Sequence, residues 1–144
     1  MRSLAIFFVM AAMTTVAWAV GDDDASKADL KKMQGKWKVV KHFIGGQEIP
    51  FPNPATIAGD KLSFNSLAYY QMTLNAKDTP KAFDCNWVYG NKLRKKGLKA
   101  IYGFDGDDKL KIFIVSNPTT PRPTAFESKK GEDGILYFLE RMKE

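Results

Sequence analysis

The chain has one cysteine, Cys85, and one histidine, His42, among 144 residues. A single thiol cannot bridge within the chain, so burial rather than cross-linking must hold the fold. Cys85 reads as a small buried apolar residue, with a reactive or intermolecular thiol as the alternative. A lone histidine without a Gly-x-Ser-x-Gly turn gives no nucleophile and base of the hydrolase kind. Without a second histidine or grouped cysteines it gives no zinc-type ligand set either, and His42 reads as a strand surface residue. Asp22-Asp23-Asp24 lacks the spaced ligands and bidentate acid of a calcium loop and reads as a solvated tail. Asp84, Glu127 and Glu140 are available to a glycosidase-type pair, but nothing in their placement brings two across a cleft. The chain has no repeat of solenoid length and no low-complexity tract. These absences predict a protein that is not an enzyme and holds neither metal nor cofactor.

One apolar run stands out, Leu4 to Val16, and it is short for a bilayer span. Arg2 precedes it and Ala17-Trp18-Ala19 follows, the order of a secretory signal with cleavage after Ala19. An uncleaved anchor is the alternative. The expected organisation is a signal peptide over residues 1–19, a flexible mature N-terminus over 20–28 and one domain over 29–144, with no stable membrane anchor after cleavage. Removing residues 1–19 takes away Arg2 and no acid, which lowers the formal charge from +6 to +5. This mildly basic balance is not a nucleic-acid signature. The densest cluster, Lys92, Arg94, Lys95, Lys96 and Lys99, could meet phosphate, an anionic polysaccharide or a membrane surface, but it has no interleaved aromatics for base stacking and reads as a solvated loop over residues 90–97.

What the chain does have is aromatic: ten Phe, five Tyr and three Trp. Such side chains fit a pleated, half-buried surface, so strands are expected over helices. Ser26 to Lys32 can form a short helix capped by Ser26, with Leu30 and Met33 facing a core and Gly35 ending it. Lys36 to Ile44 predicts the first strand, with Trp37, Val39 and Phe43 on one face. Lys41 interrupts that face, which predicts a bulge. Gly45-Gly46 is a tight turn. Further strands are expected at 56–58, 61–64, 68–74 and 82–89. A hairpin over 98–104 and 109–116 follows, joined by Asp105-Gly106-Asp107-Asp108. A short extended piece at 124–128 and a closing strand at 135–142 complete the set. These eight to nine strands and their spacing fit an all-β barrel or sandwich, and the expected fold is an all-β antiparallel barrel of about eight strands with a short N-terminal helix.

Period-two alternation collects Tyr70, Met72, Phe83, Cys85, Trp87, Tyr102 and Phe104 as candidate lining. An eight-stranded barrel can be filled by its side chains or hold one small ligand. The size of these residues favours a mostly filled interior with a shallow mouth.

Four pieces carry a resemblance: residues 30–40 (LKKMQGKWKVV), 59–62 (GDKL), 100–112 (AIYGFDGDDKLKI) and 122–128 (RPTAFES). In this order they resemble the lipocalin-like domain family of unknown function expanded in planctomycete bacteria. That resemblance implies an exported small barrel and supplies no catalytic residues. The aromatic stretch from Ser66 to Tyr89 departs from the pattern. More loosely, Gly35-Lys36-Trp37 is similar to the Gly-x-Trp of lipocalins proper. The likeness implies that an arginine near the last strand, here Arg141, covers the indole of Trp37, so Gly35, Trp37 and Arg141 would close the barrel. The expected function is an exported, non-catalytic module, periplasmic or extracellular and monomeric, that binds a small hydrophobic or amphipathic molecule. The alternative is an envelope structural or protein-interaction module that acts through its outer surface.

Overall fold

The computed structural model of the chain describes residues 21–143, and the signal peptide assigned to residues 1–19 lies outside the described residues. The described residues begin with one helix, α1 (Gly21–Met33). It starts well before Ser26, within the stretch expected to be a loose N-terminus. Ser26 therefore lies inside the helix rather than at its cap, and its hydroxyl accepts a hydrogen bond from the Ala76 amide at 3.0 Å. Leu30 and Met33 do face the core.

Nine strands follow: β1 (Gly35–Ile44), β2 (Gln47–Glu48), β3 (Ala55–Ala58), β4 (Lys61–Ser63), β5 (Ala68–Asn75), β6 (Ala82–Tyr89), β7 (Lys92–Phe104), β8 (Lys109–Ile114) and β9 (Ile135–Arg141). Each pairs antiparallel with its neighbour in the order β2-β1-β3-β4-β5-β6-β7-β8-β9, and β1 also pairs with β9. The ring is closed by eight strands, with β2 as a short flap on β1. Closure removes the free edges that an open sheet of this length would expose. The all-β antiparallel barrel read from the sequence is the fold.

Two backbone details redirect side chains. Between β1 and β9 the register runs Val39↔Leu139 and then Lys41↔Phe138, so Val40 is a bulged extra residue. One extra residue reverses the inward and outward alternation beyond it. Trp37 thus points inward and is fully buried, and beyond the bulge His42 is buried too. This corrects both expectations for the second half of β1. His42 is not a surface residue, and Phe43 leaves the face of Trp37 to pack outside the barrel with Ile101, Phe113 and Leu136.

The second detail is the basic segment, which is strand rather than loop. Gly90 and Asn91 have φ of 60° and 62°, the left-handed pair of a two-residue hairpin turn, so β7 starts at Lys92. Gly97, at φ 74°, then takes up an irregularity opposite Asn86, whose side-chain oxygen accepts the Gly97 amide at 3.0 Å.

The segment between β8 and β9 is irregular, and the extended piece expected at 124–128 does not pair. Prolines at 121 and 123 withhold the donors that a ladder needs. The segment is instead pinned to the outer wall, where Arg122 donates to the carbonyls of Phe83 (2.9 Å) and Ala100 (2.8 Å). Phe126 covers the outer apolar cluster.

Antiparallel order gives the barrel two different ends. The β3–β4, β5–β6 and β7–β8 connections lie beside α1, as shown by the Gly59 amide donating to Gln34 just after the helix, the Ala76 amide donating to Ser26, and Lys32 pairing with Asp107. The β1–β2, β4–β5 and β6–β7 connections lie at the far end.

Candidate functional site

At the α1 end the last turn of the helix leaves carbonyls that need donors. The indole nitrogen of Trp37 donates to the Met33 carbonyl at 2.8 Å. The Arg141 guanidinium donates to Lys32 O at 2.6 Å and Gln34 O at 2.9 Å, and lies 4.3 Å from the centre of the Trp37 ring. A cation at a helix C-terminus is favoured by the helix dipole as well. Gly35 makes the approach possible. Its φ of 120° suits glycine, and a side chain there would meet Arg141 Nη1 at 3.4 Å. Gly35, Trp37 and Arg141 therefore meet in one plug.

Asp29, from the second half of α1, reaches the barrel wall. Its carboxylate accepts Tyr102 Oη–H at 2.7 Å and Lys81 Nζ at 2.8 Å. Burial, then the bond to Asp29 and its charge, pushes the Tyr102 hydroxyl well above the ordinary phenol range. The Tyr102 ring packs 6.2 Å from Phe83 and 6.0 Å from Phe104, and Lys32 Nζ covers Phe104 at 4.2 Å.

The seven aromatic and sulfur residues collected from the sequence all lie in or against one core cluster, and they divide along the barrel. Phe83, Tyr102 and Phe104 belong to the plug, where their contacts are already used. Tyr70, Met72, Cys85 and Trp87 line the other half. There the β5–β6 register sets Tyr70 opposite Trp87 and Met72 opposite Cys85. Met72 and Cys85 are buried, whereas Tyr70 and Trp87 are partly buried against the core.

Four further residues complete this half. The Tyr137 ring stacks on Phe64 at 4.7 Å with 21° between planes. Phe51, from the loop after β2, stands edge-on 5.1 Å from Phe64. The His42 ring lies 4.8 Å from Phe51 and 5.1 Å from Tyr137. Its Nδ1 lies 3.1 Å from the Ile49 carbonyl, and the Ile49 amide donates to the His42 carbonyl at 2.8 Å. Nδ1 must carry a proton to donate there. These two bonds tie the loop carrying Phe51 to β1. Alternation places Tyr137 on the inner face of the last strand. His42 could be found by carrying the parity change at Lys41 one step further. Phe51, in a proline-flanked loop, gives no local signal.

This half presents two tyrosine hydroxyls and one thiol. The Tyr70 and Tyr137 hydroxyls have no hydrogen-bond partner among the described residues. No fully enclosed side-chain nitrogen or oxygen among those residues lacks a partner, so both hydroxyl oxygens open onto space that water can reach. Burial, then the neighbouring Cys85, pushes Tyr70 up to about 12, and burial, then Asp84, pushes Cys85 up to about 12. Burial and then Tyr70 raise Tyr137. All three groups keep their protons at neutral pH. Together they offer a greasy surface with uncharged donors and acceptors, suited to an alcohol, carbonyl or ester and unsuited to an ion. No group of three or more His, Cys, Asp and Glu able to hold a metal converges among the described residues. On the outside, a depression of about 640 Å³ runs over the bulge, lined by Val40, Phe43 and Phe138 together with Lys41 and Lys111. No protein-family model matches the chain, and comparison with curated proteins and with solved structures finds no match.

Proposed function

We propose that the chain is an exported, monomeric, lipocalin-like binding module without catalytic activity. In this reading its far half takes a small amphipathic molecule that is mostly apolar and carries one neutral hydrogen-bonding group. The observation that carries the reading is the pair of tyrosine hydroxyls without a partner among the described residues. Tyr137 is only 3 % exposed, and its hydroxyl oxygen is not fully enclosed while its ring is packed against Phe64 and His42. A ligand that bonds this hydroxyl and covers the surrounding apolar surface would gain about 0.5–1.5 kcal/mol from the bond itself. Phe51 borders this half on a segment outside the ladder, between Pro50, Pro52 and Pro54, so displacing it breaks no strand pairing.

The test is titration of the purified protein with hydrophobic fluorescent probes that differ in their polar head, followed by tryptophan emission. Saturable binding that favours neutral hydrogen-bonding heads is expected, weakened about five- to tenfold by Tyr137→Phe, as the loss of one such bond implies. No saturable binding across the panel, or equal affinity in the variant, would refute the reading.

A second reading, interaction with an envelope protein through the outer wall, is favoured by the groove over the bulge. Pull-down from envelope extract with wild type and Lys41→Glu/Lys111→Glu separates the two. Identical partners for both proteins would count against this version.

A further inference from the structure

The tip of the β6–β7 hairpin combines exposed apolar residues with cations that form no ion pair. Leu67, Tyr89 and Leu93 are 59 %, 42 % and 56 % exposed, unusual values for large apolar side chains placed together. The Gly90 amide donates to Leu67 O at 2.9 Å, so the β4–β5 loop lies against the hairpin turn. Val88 pairs with Leu93 and Tyr89 with Lys92. Paired residues share a face and successive residues alternate, so Leu93 and Tyr89 lie on opposite faces of the ribbon.

Around this tip Lys92, Arg94 and Lys96 are exposed, and none has an ion pair among the described residues. No acid occurs between Tyr89 and Lys99. Lys95 is held differently, with its ammonium on the Ser116 carbonyl.

From this arrangement we infer that the hairpin tip docks on an anionic phospholipid surface. Leu93, Leu67 and Tyr89 enter the interfacial layer, and Lys92, Arg94 and Lys96 meet the phosphates. Charge complementarity favours an anionic partner, at about fivefold for each cation near such a surface. The two-sidedness of the tip favours lipid over an acidic protein. A protein surface covers one face of a ribbon, whereas an interfacial layer takes in both. Tyrosine, with an apolar body and a polar tip, suits that depth. The inference stands on different residues from the proposed ligand site, although both lie in the far half of the barrel.

Flotation of the full chain with vesicles tests it, comparing phosphatidylcholine alone with equal parts phosphatidylcholine and phosphatidylserine. Because the apolar run near the N-terminus is present in every variant, the readout is the difference between variants. Wild type should float with the anionic vesicles and be released by raised salt. Lys92→Glu/Arg94→Glu/Lys96→Glu should weaken this at least tenfold, which is what three charges of that size allow. Leu93→Ser should weaken it less. Lys36→Glu/Lys38→Glu, on β1 toward the other end, should leave flotation within about twofold of wild type, since those charges lie away from the docking tip. Thermal unfolding checks that each variant folds, and the salt and lipid dependence of the wild type needs no variant. Equal flotation with both vesicle types overturns the inference. So does unchanged flotation of the triple variant, or capture of acidic proteins without any preference for anionic lipid.

Discussion

Tyr102 and Tyr137 are 1 % and 3 % exposed, and both stand opposite Ile112 in the sheet. Their surroundings differ. Tyr102 donates to Asp29 on α1, beside Lys81 and close to the Trp37–Arg141 plug. Tyr137 is packed among Phe64, Phe51 and His42, and its hydroxyl has no partner among the described residues. One half of the barrel uses its polar groups to hold itself shut. The other leaves two hydroxyls open within an apolar setting. A hydroxyl already bonded to a carboxylate offers a ligand nothing, whereas one that meets only water can exchange that water for a better-placed group. The contrast identifies the half in which a ligand has something to gain.

The sharpest way to break this contrast is to attack the plug. Trp37→Ala removes a fully buried indole together with its bond to Met33 O, and should cost about 3–5 kcal/mol in urea unfolding. Phe51→Ala at the far end should cost much less, because Phe51 is only partly buried. Equal losses at the two positions would erase the difference between the ends.

Alkali acts on both halves, because Tyr102 is raised in the plug as Tyr70, Cys85 and Tyr137 are in the far half, and Cys85 responds at the lowest pH. Folding raises Cys85 from 9.0 and Tyr70 from 10.0, each to about 12. The unfolded chain therefore loses these protons first as pH rises. Their contribution is complete below about pH 9 and falls away toward pH 12, at about 1.4 kcal/mol per pH unit for each group. Urea midpoints measured across that range should decline, and Cys85→Ala should flatten the first part of the decline. A profile unchanged by the variant would mean that the thiol ionises as easily folded as unfolded.

The finest contrast is between single oxygen atoms. Tyr102→Phe breaks a bond to a carboxylate and should destabilise by about 1–3 kcal/mol. Tyr137→Phe should change stability by less than about 1 kcal/mol in either direction, because the hydroxyl it removes bonds to no group among the described residues. The same melting curves read both effects. If Tyr137→Phe proved as damaging as Tyr102→Phe, its hydroxyl would have a structural partner and the binding proposal would lose its footing.

Most of the strand framework is legible in the sequence, because period-two alternation and glycine turns are local. Residues 82–89 and the Asp105–Asp108 turn can be read from neighbours alone. So can the bulge, since Lys41 breaks an otherwise apolar row. Its consequence is not local. A parity change at Val40 moves His42 inward and Phe43 outward, and this shows only when β1 is laid against β9. The basic segment hides its strand for a related reason. Gly90-Asn91 is a two-residue turn, but a run of cations looks like loop until its pairing with β6 is seen. Within the candidate lining, alternation says inside or outside but not which end, so it merges plug and far-half residues.

By itself, then, the order of residues determined an all-β chain, because hydrophobic period and turn chemistry act over a few residues, whereas the meeting of Trp37 and Arg141 was an expectation from resemblance alone. Only the closed ring decided which tyrosine hydroxyl found a partner. Asp29 reaches Tyr102 across 73 positions of sequence, whereas no donor or acceptor among the described residues is carried to Tyr137. Hydrogen bonds between distant segments depend on strand tilt, register and the seat of α1, and none of these is written in a local pattern.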